Sequence, residues 1–385
     1  MLARTQNLLT GYLEAIEGLA PLIADHRHDF DRQSRLPDVV FDAVARAGLF
    51  RLWLPATLGG PELSPLDFLA VVEAASALDG SVGWLVGNGA GMSRIGGYLP
   101  ETVARDWFSD PRAFVASATG AVGTAQQVAG GYRVTGRWPF GSGAHHATRF
   151  MGLANVTGIA GANGPTVCCY FASRDVTVHD TWHVSGLRGT GSCDFEAHDV
   201  FVPADHTHIF IDHPPTRPGL LYRMPHPSVF AWTVSVVPLG IAHGAIGTFV
   251  ELAGRKARAG TSALLRDREI VQATVGRAEA LYRAARAFLF DAMTRLMAAA
   301  DVCDNNLLPA RAMLRVACAH AAESAVRIGD MLAADAGAVA IFETCALERS
   351  IRDVHAAVKH VAMSPNSYTV AGRLALGLDP GTTRI

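Results

Sequence analysis

Two histidines near the C-terminal end, two glycine-rich loops and one basic run hold most of the chemistry this sequence offers. His355 and His360 carry imidazoles whose charge can be tuned around neutral pH, which suits proton transfer or the steadying of a reactive group. Five positions apart, they diverge by about 140° on a regular helix, so one can face a site while the other is structural. The loop Trp138-Pro139-Phe140-Gly141-Ser142-Gly143-Ala144-His145-His146 joins small residues, a hydroxyl and aromatics. A flat ring can lie against such a backbone, with N–H and O–H groups meeting its polar edge; an ordinary β-turn accounts for the same residues equally well. His145 and His146 are adjacent, point apart and lack a third ligand, so no metal is expected. The second loop, Gly186-Leu187-Arg188-Gly189-Thr190-Gly191-Ser192, can offer backbone donors to an anionic or polar group, or be a long hairpin turn. Arg255, Lys256 and Arg258 are either a solvated face or ligands for a cofactor phosphate. Gly87-Asn88-Gly89-Ala90-Gly91 resembles part of a dinucleotide loop but sits in a helical stretch, where close helix packing explains it better.

The elements that must position these groups change in texture along the chain. Residues 1–112 read as helices: Asp38 to Ala47 has apolar residues at helical spacing and stops at Gly48, and Ser64-Pro65 opens another helix as an N-cap followed by proline. Ala56 to Pro61 is a turn. Over 113–212 short strands are split by glycine-containing turns: Phe114–Ala118, Gly131–Gly136, Phe150–Val156, Thr166–Ala172, Val176–His179 and Phe195–Val202. A connector over 211–225 leads to helices again over 226–385. Helices, then strands, then helices argue for an α+β multidomain chain and against an alternating doubly wound sheet.

The composition sets outer bounds. A chain of 385 residues can bury a large core, and 50% hydrophobic against 18% charged residues suggests further surface covered in subunit contacts. A formal charge of −2 gives no reason to expect nucleic acid or an anionic membrane as partner. The six cysteines include one adjacent pair and no C-x-x-C, so a reduced, cytoplasmic setting is expected. Ser228 to Val250 has no formal charge and imitates a membrane span, but Pro238, His243 and several glycines interrupt it; a buried core helix is expected. The first twenty residues carry acids and no signal-peptide apolar run.

Four motifs occur in order: Leu49–Gly60 (LFRLWLPATLGG), Trp138–Gly143 (WPFGSG), Gly186–Ser192 (GLRGTGS) with Asp199–Pro203, and Arg352–Pro380. Together they resemble the acyl-CoA dehydrogenase-like flavin monooxygenases, the oxygenase components of two-component systems such as the 4-hydroxyphenylacetate and secosteroid hydroxylases. Amino-sugar nitrososynthases and the dibenzothiophene monooxygenase share that scaffold. The resemblance implies an N-terminal helical domain, a central β-barrel and a C-terminal four-helix bundle, assembled as a homotetramer. It also implies reduced FMN (with FAD the other form) supplied by a separate reductase, oxygen adding at the flavin C4a, and a small-molecule substrate. Ser142 would sit beside the flavin N5 and His360 near C4a, as the catalytic pair. Ser117, Ser142, Gly143, Gly189, Thr190 and Ser192 would line the flavin, and Arg258 would reach its phosphate. Trp84, Asn88, Met92 and Phe140 would wall the substrate pocket, with Trp53 behind them.

Two departures refine the expectation. The dehydrogenases carry a catalytic Glu near the C-terminal helix or on an earlier bundle helix. Here residues 352–376 contain no Glu, and the second position aligns near Phe230. Removal of an α-proton then lacks a base, which favours oxygen chemistry over desaturation. The phenol hydroxylases place a substrate-facing His after their Gly-Trp pair, whereas Gly83-Trp84 is followed here by Asn88 and Met92. An FAD-dependent acyl-thioester dehydrogenase and a flavin-free scaffold of the same fold are the competing expectations.

Overall fold

A computed structural model describes residues 2–158, 164–211, 213–225, 232–257, 262–302 and 307–382, with side chains from residue 7 onward. Helices come first: α1 (Leu2–Gln33), α2 (Asp38–Arg46), α3 (Pro65–Leu78), α4 (Gly80–Ser93) and α5 (Glu101–Trp107). Seven strands follow: β1 (Val115–Val128), β2 (Gly131–Gly141), β3 (Arg149–Thr157), β4 (Thr166–Ala172), β5 (Thr177–His179), β6 (Cys193–Pro203) and β7 (Thr207–Ile209). Then helices return as α6 (Leu220–Arg223), α7 (Val237–Arg255), α8 (Glu269–Asp301), α9 (Leu308–Ala336), α10 (Ala346–Ala357) and α11 (Asn366–Ala375). This is the acyl-CoA dehydrogenase-like order of helices, sheet and helical bundle.

Local signals account for several boundaries. Ser64 Oγ accepts the Asp67 N–H at 3.1 Å and donates to the Asp67 carboxylate at 2.8 Å, so α3 begins with a side-chain cap and proline at its first position. Behind α2, Gly48 turns the chain at φ +74°. Three strand segments escaped the sequence reading: the second half of β1, beyond a register shift between Ala118 and Val122, the end of β2 over 137–141, read as part of a loop, and the short edge strand β7. The β1 half is rich in Gly, Ala and Gln, and β7 has three residues, too few to show an alternating pattern.

By backbone contacts the chain forms two compact units. The first (Met1–Phe68, Leu85–Val184, Arg188–Phe230) holds the sheet, in the order β5-β6-β2-β1-β3-β4-β7, with β1 and β3 parallel and the remaining pairs antiparallel. At its centre Trp138 is fully buried, stacks on Phe195 at 5.3 Å and donates its indole N–H to the Leu153 carbonyl at 2.9 Å. Glycines on three neighbouring stretches make room for that ring. A Cβ at Gly152, Gly136 or Gly123 would stand 2.4, 2.6 or 2.8 Å from it. Phe41, Phe50 and Phe114 form a second aromatic knot, with centroids 4.7–5.6 Å apart, which ties α2 to the start of β1.

The second unit (Leu69–Trp84, Ser185–Leu187, Ala231–Ile385) is helical. By length and composition α7 could cross a membrane, and more than half of it is buried against protein. Its glycines explain its packing: a Cβ at Gly240 or Gly244 would come 2.4 Å from the Glu73 carbonyl oxygen or 2.2 Å from that of Ala77. The backbones of α7 and α3 therefore touch. On the far side of α3, buried Glu73 accepts both Arg286 Nε (2.9 and 2.8 Å) and the Tyr282 hydroxyl (2.8 Å), both from α8.

Candidate functional site

The β2–β6 ladder explains how two distant loops meet in the first unit. Its register slips between Trp138 and Gly141, and Gly141 then pairs with Cys193, which brings Ser142 against Ser192. The slip contains Phe140, a non-glycine residue at φ +66°; such strained positions gather where a backbone must re-aim its neighbours. Ser142 Oγ lies 2.8 Å from Ser192 Oγ, which lies 2.7 Å from Thr190 Oγ1. All three hydroxyls are buried, and Gly143 donates its N–H to the Thr190 carbonyl at 2.8 Å. At φ +76° Gly143 needs to be glycine, and a Cβ there would also strike the Phe114 ring at 2.5 Å. Gly189 is buried in the same turn. Ser117 stands in β1 opposite Met151, half-buried, and shares no hydrogen bond with the hydroxyl chain among the described residues.

The histidines beside this loop are structural. His146 stacks on Phe41 at 4.1 Å and bonds the Leu36 carbonyl through Nε2 at 2.9 Å; burial pushes its pKa down to about 4. His145 reaches Cys193 Sγ at 3.5 Å. No group of three potential metal ligands occurs among the described residues.

His360 belongs to the second unit, three residues beyond α10. It caps a short turn, with Nδ1 accepting the Ala362 N–H at 3.2 Å. With Nδ1 occupied as acceptor, the ring proton sits on Nε2. Trp84 meets the imidazole edge-to-face at a centroid distance of 5.5 Å. Burial, reinforced by the positive charge of Arg315, pushes the pKa of His360 down to about 4. The imidazole that the sequence suggested as tunable near neutrality is thus a neutral Nε2–H donor at physiological pH. Arg315 spends one N–H on the Val361 carbonyl at 3.2 Å. His355 lies on α10 and pairs with Asp330 at the surface, 2.9 Å away, whereas His360 lies past the helix end, so the angular offset expected on one regular helix does not apply.

The remaining expected wall residues divide. Trp84 is buried beside His360, and Asn88, one turn along α4, is half-buried. Met92 lies in the core with Leu54, Ile95, Trp107 and Tyr170. Phe140 is 66% exposed, edge-on to Trp182 at 6.3 Å. Trp53 is buried and stacks on Phe68 at 3.9 Å. The Gly87–Gly91 run is helical, and Gly89 passes under the Phe114 and Phe50 rings, as close packing requires. Arg258 and Phe230 lie outside the described residues. Arg255 pairs with Glu251, and Lys256 caps α9 at the Ala336 carbonyl, 2.6 Å away.

One cluster went unseen in the sequence. Asp79 accepts Arg349 Nε at 2.8 Å and caps α4 through the N–H groups of Ser81 and Val82. Asp353, 4.0 Å from the same Arg349 Nε, accepts the Leu187 N–H at 2.7 Å. Asp79 before a helix was readable as a cap, but its partner lies 270 residues away.

Residues 16–109 match the family model described as acyl-CoA dehydrogenase, N-terminal domain, and residues 232–365 match acyl-CoA dehydrogenase, C-terminal domain. Indole-3-acetate monooxygenase of Pseudomonas putida is 29% identical over 95% of this chain and 94% of its own. The flavin-dependent monooxygenase oxygenase subunit HsaA of Rhodococcus jostii is 28% identical over 95% and 98%. A pigment production hydroxylase of a Rhodococcus species is 31% identical over 75% and 76%. Among solved structures, XiaF from Streptomyces, in complex with FADH2 and glycerol, superposes with a TM-score of 0.91 at 27% identity, covering 100% and 99% of the two chains.

Proposed function

Because the chain belongs to the acyl-CoA dehydrogenase-like flavin-dependent monooxygenases, we propose that it oxygenates a small aromatic molecule with O2 and reduced FMN delivered by a separate reductase. The buried chain Ser142–Ser192–Thr190 carries this reading. Its chemistry suits a flavin ring edge. N5 is an N–H donor in the reduced flavin and a bare acceptor in the oxidised one, and each hydroxyl can serve as donor or acceptor. When bound, reduced flavin supplies two electrons and the carbon at which O2 is activated, so that one oxygen atom enters the substrate and the other leaves as water.

The protein's own part is positional and electrostatic. Ser142 Oγ would hold the proton at N5, backed by Ser192 and Thr190, which would let the hydroxyl chain reverse without moving a heavy atom. Gly143 and Gly189 would keep side chains away from the ring face and Ser117 would border it, while the expected phosphate ligand, Arg258, lies outside the described residues. His360 would offer Nε2–H as a neutral donor to a polar group of the bound reactants. It is not a cationic acid, and acting as a base would need the proton on Nδ1, facing the Ala362 N–H. Trp84 holds the imidazole and excludes water. The aromatic substrate is favoured by Trp84 and by relatives named for indole-3-acetate and resorcinol. The dehydrogenase alternative finds no agent: in 352–376 the carboxylate present, Asp353, is engaged with Leu187 and Arg349.

Self-association through the helical unit completes the proposal. Ile341, Phe342, Val361, Leu376 and Leu378 are each half or more exposed there, and we assign the homotetramer to that surface. The deciding experiment loads the protein anaerobically with reduced FMN or FAD, then adds isotopically heavy O2 and a panel of indoles and phenols. Label in an oxygenated product supports the reading. Complete conversion of the flavin's electrons to hydrogen peroxide, with every substrate, refutes it.

A further inference from the structure

The segment Ser185–Leu187 is docked on α10 residue by residue. Arg352 Nη1 reaches the Ser185 carbonyl at 3.4 Å. Gly186 lies so close that a Cβ would stand 2.2 Å from the Arg352 carbonyl oxygen. Leu187, a non-glycine residue at φ +53°, gives its N–H to Asp353 Oδ1 at 2.7 Å. Behind that bond Asp353 is enclosed at 2% exposure, and Gly80 leaves it room: a Cβ there would be 3.1 Å from Oδ2. Two buried carboxylates, Asp79 and Asp353, share the guanidinium of Arg349.

That arrangement is a poor way to gain stability. Apolar residues of similar volume commonly do as well as a buried ion cluster, and here two carboxylates share Arg349 while Arg352, the other cation acting on Asp353, is paired with Glu348. Burial and the Asp79 charge push the Asp353 carboxyl up to about 7. What the carboxyl does achieve is to hold one backbone N–H in a strained conformation, three residues before Thr190 and five before Ser192. Strain and desolvated charge of this kind collect where geometry serves chemistry.

We propose that Asp353 is a positioning residue for oxygenation: its carboxyl oxygen anchors Leu187, and that anchor sets the loop carrying the Thr190 and Ser192 hydroxyls. The inference rests on the role given above to those hydroxyls. In this role Asp353 acts through the Leu187 N–H and not by contact with flavin or substrate.

The test starts with hydrogen exchange on the cofactor-free protein, resolved at the Leu187 amide. In the wild type this amide, outside any helix or strand ladder, exchanges at least tenfold more slowly than the free-peptide rate. In Asp353→Ala the protection disappears, FMN binds about tenfold more weakly, and product formed per flavin oxidised falls as peroxide rises. Asp353→Asn keeps an acceptor oxygen and returns all three readings to near wild type. An unprotected Leu187 amide in the wild type overturns the proposal, as does unchanged exchange in Asp353→Ala. Asp353→Asn as impaired as Asp353→Ala also overturns it, because charge and not the anchor would then be what matters. Should Asp353→Ala fail to fold, the wild-type exchange and the Asp353→Asn comparison still decide. Exchange is read without flavin, so its failure sinks this inference alone, whereas absence of labelled product from the wild type sinks the functional reading.

Discussion

A histidine whose Nδ1 already accepts a backbone N–H has its tautomer chosen for it, and His360 is in that position. With a pKa of about 4 it stays neutral through the physiological range, so product yield per flavin oxidised should be flat from about pH 5 to 8, with any His360-dependent limb near pH 4. Arg315→Gln removes the neighbouring positive charge, and the limb should then move upward in pH. A limb between pH 6 and 7 in the wild type would contradict the neutral-donor role. On the proposed placement of the flavin, Ser142→Ala would delete one hydrogen bond at the cofactor edge. A bond of this kind is worth about 1 kcal/mol, so yield should drop about tenfold or less, with peroxide making up the difference; assaying product and peroxide together checks this. Ser142 and His360 could be singled out in the sequence because each sits in a short motif that carries the family resemblance. The Asp79–Arg349–Asp353 cluster was not, since nothing local marks partners brought together only by folding.

At the scale of elements, the helix–strand–helix order was readable from periodicity alone, while the edges of the sheet were not. Met92 shows why a helical face is hard to assign: it follows Trp84 on α4 at helical spacing, yet packs in the core with Leu54, Ile95 and Trp107. Trp138 is the pin on which β2 turns toward Ser142. Trp138→Ala should cost ~3–5 kcal/mol from lost packing and leave the Leu153 carbonyl without its indole partner. Thermal unfolding of the cofactor-free protein measures this, and a loss below ~1 kcal/mol would deny the ring its central place. In the second unit the membrane-like look of α7 resolves into close backbone packing. Gly240→Ala must displace the Glu73 carbonyl, and a destabilisation of ~1–3 kcal/mol is expected by the same assay. Composition showed an apolar helix; only the fold shows that its glycines are there to let α3 approach.

For the molecule as a whole, buried histidines set the response to acid. His146, His208 and His360 are each pushed down to about 4 by burial, while an unfolded histidine titrates near 6.5. Between those values the unfolded chain takes up protons that the folded chain refuses, so stability falls as pH drops from about 6.5 to 4. Asp353 opposes this: its folded pKa of about 7 lies above the unfolded value of 3.8, so its contribution is present at low pH and lost as pH rises toward 7. Three histidines against one carboxyl leave Tm falling with acid. His360→Gln should flatten the fall and Asp353→Asn should steepen it, and melting curves at pH 7 and 5 will tell. Finally, α10 carries the Asp353 anchor within it and His360 three residues past its end. One residue inserted between them would rotate everything beyond by about 100° and advance it by ~1.5 Å, breaking the match between anchor and imidazole. In a laboratory search for new substrates, the outward-facing side chains of that helix are therefore the places to vary, and its length is the thing to keep.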